Sequence, residues 1–168
     1  MKKIAVLVEN QYHVLEAWYP YLRLRESGFD TVFIGTGKDE YKSKEGYPAK
    51  AELKIETVKP DDFSGVIIPG GWAPDYLRRY ESVLYFVKEM FDSGKLVASI
   101  CHAGWVLVSA GILKGKKATC FSAIKDDIIN AGAEYTDKDV VIDDNLITSR
   151  NPYDLPVFCA EIVKFLQK

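Results

Sequence analysis

The chain has 168 residues, of which 48% are hydrophobic and 27% are charged, and its formal net charge is −2. This length allows one folded domain with a sizeable core, so we expect a single domain over residues 1–168. A near-neutral charge without a run of Lys or Arg does not favour nucleic acid or a membrane surface as a partner. No apolar run approaches the roughly 18 residues that cross a bilayer, and we expect a cytoplasmic protein.

Short apolar runs rich in β-branched residues alternate with longer segments whose apolar residues recur at helical spacing. In chain order the pattern predicts a strand at 3–8, a helix at 13–28, a strand at 30–35, a strand within 64–71, a helix at 74–94, a strand at 96–100, helices at 104–113 and 125–133, a hairpin at 139–150 and a helix at 156–168. Pro20 predicts a kink or a short non-helical start in the first helix. The segment 51–58 predicts a solvated strand or hairpin arm. This alternation predicts a parallel sheet with helices on both faces.

Three of the predicted strands end in unusual sequences: "ENQYH" (9–13), "PGGWAPD" (69–75) and "CHAG" (101–104). In open α/β sheets, ligands bind outside the carboxyl ends of the strands. The two histidines of the chain, His13 and His102, both fall in these stretches. The sequence therefore predicts one site at this edge of the sheet.

The corner between the strand at 96–100 and the next helix carries a thiol. A tight strand-to-helix turn lifts its central side chain out of the sheet, as in the α/β hydrolases, and here that side chain is Cys101. The helix that follows points its amides at the sulfur, which favours the thiolate. Free amides at Gly70 and Gly71, with the amide of His102, predict an oxyanion hole. Trp72 is a candidate for the mouth of the pocket.

The other cysteines, Cys120 and Cys159, are interpreted as small buried hydrophobic residues. Three cysteines without a CxxC pair do not favour a disulfide framework or a zinc site. We expect neither a metal nor a cofactor.

The order and spacing of several stretches resemble the ThiJ/PfpI superfamily, and specifically its PfpI-type intracellular cysteine peptidase branch. The resemblance is carried by "YPYLRLRESG" (19–28), "PDDFSGVIIPGGWAPD" (60–75), "SGKLVASICHAGWVLVSAGILKGKKAT" (93–119), "IKDDIINAGAEY" (124–135) and "TSRNPYDL" (148–155). It implies a three-layer α/β/α sandwich of the flavodoxin-like type, shared with class I glutamine amidotransferases. It also implies a homodimer that can assemble further into a hexamer.

The resemblance assigns roles to individual residues. It implies that Cys101 is the nucleophile, that His102 is its neighbouring base, and that Asp75 of an adjacent subunit is the acidic third member. Members of the family usually carry a glutamate after the first strand, where its carboxyl meets the sulfur. The matching position is interpreted here as His13, with Glu16 one helical turn further on. A histidine can serve as a base near neutral pH, but it does not reproduce a protonated carboxyl.

Three functions stay open at this point. The first is a peptidase in which the Cys101 thiolate attacks a peptide carbonyl and His102 protonates the leaving amine. The second is a glyoxalase or deglycase, in which the thiol adds to methylglyoxal or to a glycation adduct and His13 moves the proton. The third is a redox-sensing stress or chaperone protein that uses an exposed cysteine of low pKa. The departure at His13 favours the first of these.

Overall fold

The computed structural model describes the whole chain, Met1–Lys168. Its eleven strands are β1 (Lys3–Val8), β2 (Asp30–Gly35), β3 (Glu40–Lys42), β4 (Pro48–Lys50), β5 (Leu53–Lys54), β6 (Gly65–Ile68), β7 (Leu96–Ile100), β8 (Lys117–Ala118), β9 (Glu134–Tyr135), β10 (Val140–Asp143) and β11 (Leu146–Ser149). Its six α-helices are α1 (Val14–Glu26), α2 (Ala73–Leu77), α3 (Glu81–Asp92), α4 (Gly104–Ala110), α5 (Lys125–Asn130) and α6 (Leu155–Leu166).

Seven strands form the central sheet in the order β10-β11-β7-β6-β1-β2-β5. All neighbouring pairs are parallel except β10 with β11, which form an antiparallel hairpin. The chain leaves β1 towards β2 and later returns to place β6 and β7 on the other side of β1. Because such crossovers are right-handed, α1 and α3 lie on opposite faces of the sheet. The predicted flavodoxin-like α/β/α sandwich is confirmed.

The central strands consist of apolar residues along their whole length because both of their faces are covered. Every residue of β6 and of β7 is buried, and so is β1 from Ile4 to Val8. The core cluster contains 48 buried residues, contributed by the sheet and by the inner faces of the helices. None of the helices has the length and apolar character needed to cross a membrane.

Three predicted elements differ from the structure. The helix predicted at 74–94 is two helices, because Tyr80 adopts an extended conformation (φ −97°, ψ 115°) between α2 and α3. The segment 51–58 contributes only the short edge strand β5, and the hairpin of this region is formed by β3 and β4 instead. Pro20 lies inside α1 without ending it. The helix begins directly at Val14, so no non-helical start precedes the proline.

Candidate active site

One pocket of about 410 Å³ lies at the carboxyl ends of the central parallel strands. Its walls come from the segments that follow β1, β6, β7, β8 and β11, together with the tip of the β3–β4 hairpin. The lining residues are His13, Glu16, Lys44, Gly71, Trp72, Cys101, His102, Phe121, Ala123, Asn151 and Pro152. The structure therefore brings together Cys101, His102, His13, Gly71 and Trp72, as the three strand-end motifs predict.

Cys101 stands at the corner between β7 and α4. Its φ is +62°, in the left-handed region that residues other than glycine rarely adopt. Residues Cys101–Ala103 form one 3-10 turn that leads directly into α4. Such a strained turn, held by the packed elements on either side, is typical of a functional position. The side chain is nonetheless well covered, since Cys101 is only 8% exposed.

The segment after β1 is held in place by main-chain pairing on both sides. Tyr12 pairs with Ser43 at the tip of the hairpin and with Gly71 in the glycine turn. The amide of His13 donates to the carbonyl of Gly70 at 3.1 Å. These contacts fix the start of α1 against the turn that follows β6, and they place the first turn of α1 beside the cysteine corner.

Glu16, which the sequence interpretation placed one helical turn beyond His13 without giving it a role, lies at the site. Its side chain is fully buried in the first turn of α1, and Oε2 accepts a hydrogen bond from the Gly70 amide at 2.7 Å. A Cβ atom added at Gly70 would lie 2.4 Å from Glu16 Oε2 and 2.7 Å from Cys101 Cβ, so the glycine is wedged between the two side chains. The other oxygen, Oε1, is buried without a hydrogen-bond partner.

The interpretation of His13 as the replacement for the family glutamate is therefore wrong. His13 lines the pocket, but it precedes α1 as its N-cap residue, and its Nε2 lies 3.7 Å from Glu45 Oε1. The carboxyl group beside Cys101 belongs to Glu16. A signal for this assignment exists in the sequence: Glu16 shares the buried face of α1 with Ala17, Pro20 and Leu24, at helical spacing. A carboxyl group on an apolar helix face requires a specific partner.

Burial determines the protonation of the two facing groups. It raises the pKa of Glu16 to about 8, against the lowering effect of the Gly70 amide and the Cys101 thiol. Burial, followed by the charge on Glu16, raises the pKa of Cys101 to about 12. The expected low pKa of this thiol is thus not found, because desolvation outweighs the amides that face the sulfur. The redox-sensing hypothesis requires an exposed cysteine, and Cys101 is only 8% exposed.

Of the three amides predicted to form an oxyanion hole, those of Gly70, Gly71 and His102, one is not available. The Gly70 amide is occupied by Glu16 and is not free to bind substrate. The amides of Gly71 and His102 face the Cys101 sulfur and lower its pKa. An oxygen that becomes negative on a carbon bonded to this sulfur would therefore lie near the amides of Gly71 and His102.

The imidazole ring of His102 is packed among three aromatic side chains. Its Nδ1 is 3.3 Å from Cys101 Sγ, and its ring centroid lies 5.2 Å from Trp72, 5.1 Å from Trp105 and 5.0 Å from Phe121. Burial lowers the pKa of His102, so the imidazole is neutral at pH 7. Within the chain, no carboxylate is hydrogen-bonded to the ring. Trp72 is half exposed at the edge of the pocket, where the sequence predicts it.

Asp75 does not reach this pocket within one chain. It lies in α2 and pairs with Arg79 at 2.6 Å. A role for Asp75 at the site of a neighbouring subunit stays a prediction. No group of three His, Cys, Asp or Glu side chains is arranged to hold a metal ion.

Gly71→Ala is expected to destabilise the protein by at least about 2 kcal/mol. Gly71 has a φ of +74°, and a Cβ there would lie 2.4 Å from the Gln11 carbonyl oxygen. Gly94 is a matched control, because its φ is +70° but nothing lies within 4 Å of an added Cβ. Urea denaturation of both variants separates backbone strain from steric overlap. Equal losses in the two variants would contradict the close approach at Gly71.

Comparison with known proteins identifies the family to which this architecture belongs. The model of the DJ-1/PfpI family matches residues 2–165. Deglycase PfpI of Pyrococcus furiosus is 42% identical over 165 residues, which cover 98% of this chain and 99% of that protein. A Bacillus subtilis protein named "Putative cysteine protease YraA" is 40% identical over 168 residues, which cover 99% of each chain.

A solved structure gives the same result. The crystal structure of an Anabaena variabilis protein with DJ-1/ThiJ/PfpI-like and ferritin-like domains superimposes with a TM-score of 0.98 at 41% identity. The match covers 99% of this chain and 48% of the other, so this chain spans about half the length of that two-domain protein. Fold and site define a flavodoxin-like protein with a cysteine at a strand-to-helix corner. The chain belongs to the DJ-1/PfpI family, which confirms the resemblance to the ThiJ/PfpI superfamily.

Proposed function

We propose that this protein is a cysteine-dependent glyoxalase and deglycase, which converts methylglyoxal to lactate and splits its early adducts into lactate and the free amine or thiol. One observation carries the proposal: the buried carboxyl of Glu16 faces Cys101 and keeps one oxygen without a partner. A carboxyl with a pKa near the working pH can accept and return a proton, which the rearrangement of a 2-oxoaldehyde requires. The name of the Pyrococcus furiosus relative, a deglycase, supports the same activity.

The reaction begins with addition of the thiol to the aldehyde. The ionised form of Glu16 takes the proton from the Cys101 thiol while the sulfur bonds to carbon 1, the aldehyde carbon of methylglyoxal. The carbonyl oxygen becomes negative near the amides of Gly71 and His102, and then receives the proton from Glu16. The product is a hemithioacetal on Cys101, and Glu16 is again a carboxylate.

Rearrangement and hydrolysis complete the cycle. Glu16 removes the proton from carbon 1 and delivers it to carbon 2, the ketone carbon of methylglyoxal. The hydroxyl proton moves at the same time from the oxygen on carbon 1 to the oxygen on carbon 2. This converts the hemithioacetal into a thioester of lactate without a net change in oxidation state. Water then adds to the thioester, which releases lactate and restores the thiol of Cys101. The overall change is methylglyoxal plus water to lactate.

A peptidase is the second candidate, because Cys101 Sγ and His102 Nδ1 are 3.3 Å apart. The name of the Bacillus subtilis relative supports this alternative. The mechanism needs a carboxylate to orient His102, and Asp75 of a neighbouring subunit in a homodimer or hexamer is the proposed source. The glyoxalase mechanism has no such requirement, because both of its principal groups lie in one chain.

Wild-type protein is expected to form lactate from methylglyoxal and to cleave unfolded casein at a much lower rate. Chromatographic detection of lactate and of new peptide amino groups in the same preparation compares the two activities. His13→Ala should retain most of the lactate formation, since Glu16 rather than His13 is the proposed base. Casein cleavage without any lactate would overturn the proposal in favour of the peptidase.

A further inference from the structure

The pocket contains one cation that the proposed chemistry does not use. Lys44, at the tip of the β3–β4 hairpin, lines the same pocket as Cys101. It is the only Lys or Arg among the lining residues. Glu16 is protonated below about pH 8, and burial lowers the pKa of both His13 and His102.

The Lys44 ammonium is exposed at the rim of the pocket and pairs with a neighbouring carboxylate. The Lys44 amide donates to the Tyr12 carbonyl at 2.9 Å, which attaches the hairpin tip to the segment after β1. Nζ lies 3.0 Å from Glu45 Oε1, and Glu45 Oε2 accepts from the amide of Val14 at 3.1 Å. An ammonium has three donors, so this pairing leaves two of them for a ligand.

The opposite wall adds a neutral donor. Asn151 Oδ1 accepts from the amide of Tyr153 at 3.0 Å, which leaves the NH₂ group of Asn151 as its donor at the pocket. Lys44 and Asn151 therefore each bring a hydrogen-bond donor to the pocket. These donors can bind an anionic group of a ligand, which competes with the Glu45 carboxylate for Lys44 Nζ.

We propose that Lys44 selects substrates in which the reactive dicarbonyl carries an anionic group, such as a carboxylate a few bonds away. The inference rests on the proposed function, and it makes Lys44 a determinant of specificity rather than a participant in proton transfer. Free methylglyoxal, which has no charge, would then be a poor substrate beside a 2-oxoaldehyde that carries a carboxylate.

The test uses 4,5-dioxopentanoate and its methyl ester, which share the reactive dicarbonyl and differ in charge. Their products are 2-hydroxyglutarate and its monomethyl ester, formed by the same addition of water. Wild-type protein is expected to have a kcat/KM for the acid about tenfold above that for the ester. Lys44→Gln should remove this preference, mainly through the KM of the acid, and should change the ester less than about twofold.

Three further variants keep the result interpretable. Lys50→Gln, on the same hairpin but outside the pocket, removes an equal charge and should preserve the preference. Lys44→Arg should also preserve it. Glu45→Gln keeps an oxygen for the Val14 amide but releases Lys44 from its ion pair, and should increase the preference for the acid.

The outcomes separate the two proposals. Turnover of acid and ester at equal rates, or equal losses for both in Lys44→Gln, would overturn the role of Lys44 and leave the proposed function intact. Failure of the wild type to convert the acid, the ester and methylglyoxal would overturn the proposed function itself, and the role of Lys44 with it.

Discussion

Glu16→Gln is expected to lower the rate of lactate formation from methylglyoxal by about 10³-fold. The amide keeps the shape of the side chain and an oxygen that accepts from Gly70, but it can neither accept nor return a proton. The buried Oε1 atom, which has no partner in the chain, is the atom that this substitution affects. Lactate assays on matched concentrations of folded protein measure the loss, and His13→Gln, with activity near that of the wild type, is the control.

The dependence of kcat/KM on pH tests the role of Glu16 in a second way. Because burial raises the pKa of Glu16 to about 8, its base form becomes abundant only as the pH rises towards that value. The kcat/KM of the wild type should therefore increase from about pH 6 to about pH 8 and then level off. A carboxyl with an ordinary pKa would give a flat profile over this range. A flat profile, or a Glu16→Gln variant with normal activity, would remove Glu16 from the mechanism.

The raised pKa of Glu16 also predicts how the free energy of unfolding changes with pH. The pKa of Glu16 is raised from 4.5 to about 8 in the folded chain, so the unfolded chain loses this proton at lower pH. The free energy of unfolding contributed by the neutral carboxyl is complete below pH 4.5 and falls as the pH rises to about 8. Denaturant titrations should show this decline in the wild type and a smaller one in Glu16→Gln.

Cys101→Ala should abolish lactate formation, with a loss of about 10⁴-fold or more. The thiol forms the only covalent bond to substrate in the proposed cycle, and no other cysteine lines the pocket. Cys120→Ala and Cys159→Ala are matched controls, because both residues are buried in the core and neither lines the pocket. They should lose some stability and keep the specific activity of the folded protein. Cys101→Ala with substantial activity would exclude thiol addition.

The fold could be predicted largely from the sequence because the central strands are apolar along their whole length. The runs at 3–8, 30–35 and 96–100 match β1, β2 and β7 residue for residue. The separation of α2 from α3 was not predictable, since apolar spacing continues across Tyr80 and only the backbone dihedrals change there.

The location of the candidate pocket was predicted from the sequence, but the carboxyl beside Cys101 was assigned to the wrong position. The motifs at the three strand ends indicated the shared pocket and the corner at Cys101. Glu16 was not given this role because counting along the sequence does not show that α1 begins directly at Val14 and turns position 16 inward. The pKa of Cys101 was predicted with the wrong sign, since the helix amides are visible in the sequence pattern but the degree of burial is not.

The main-chain pairing of Tyr12 has a consequence for how this protein can change over evolution. The hairpin tip and the glycine turn are joined to Tyr12 through backbone atoms, and backbone hydrogen bonds do not depend on which side chains the partners carry. Hairpin side chains that make no contact with the segment after β1 can therefore change while the reacting sulfur and its carboxyl keep their positions. Mutational drift at this rim would alter which molecules enter, and leave the rearrangement itself untouched.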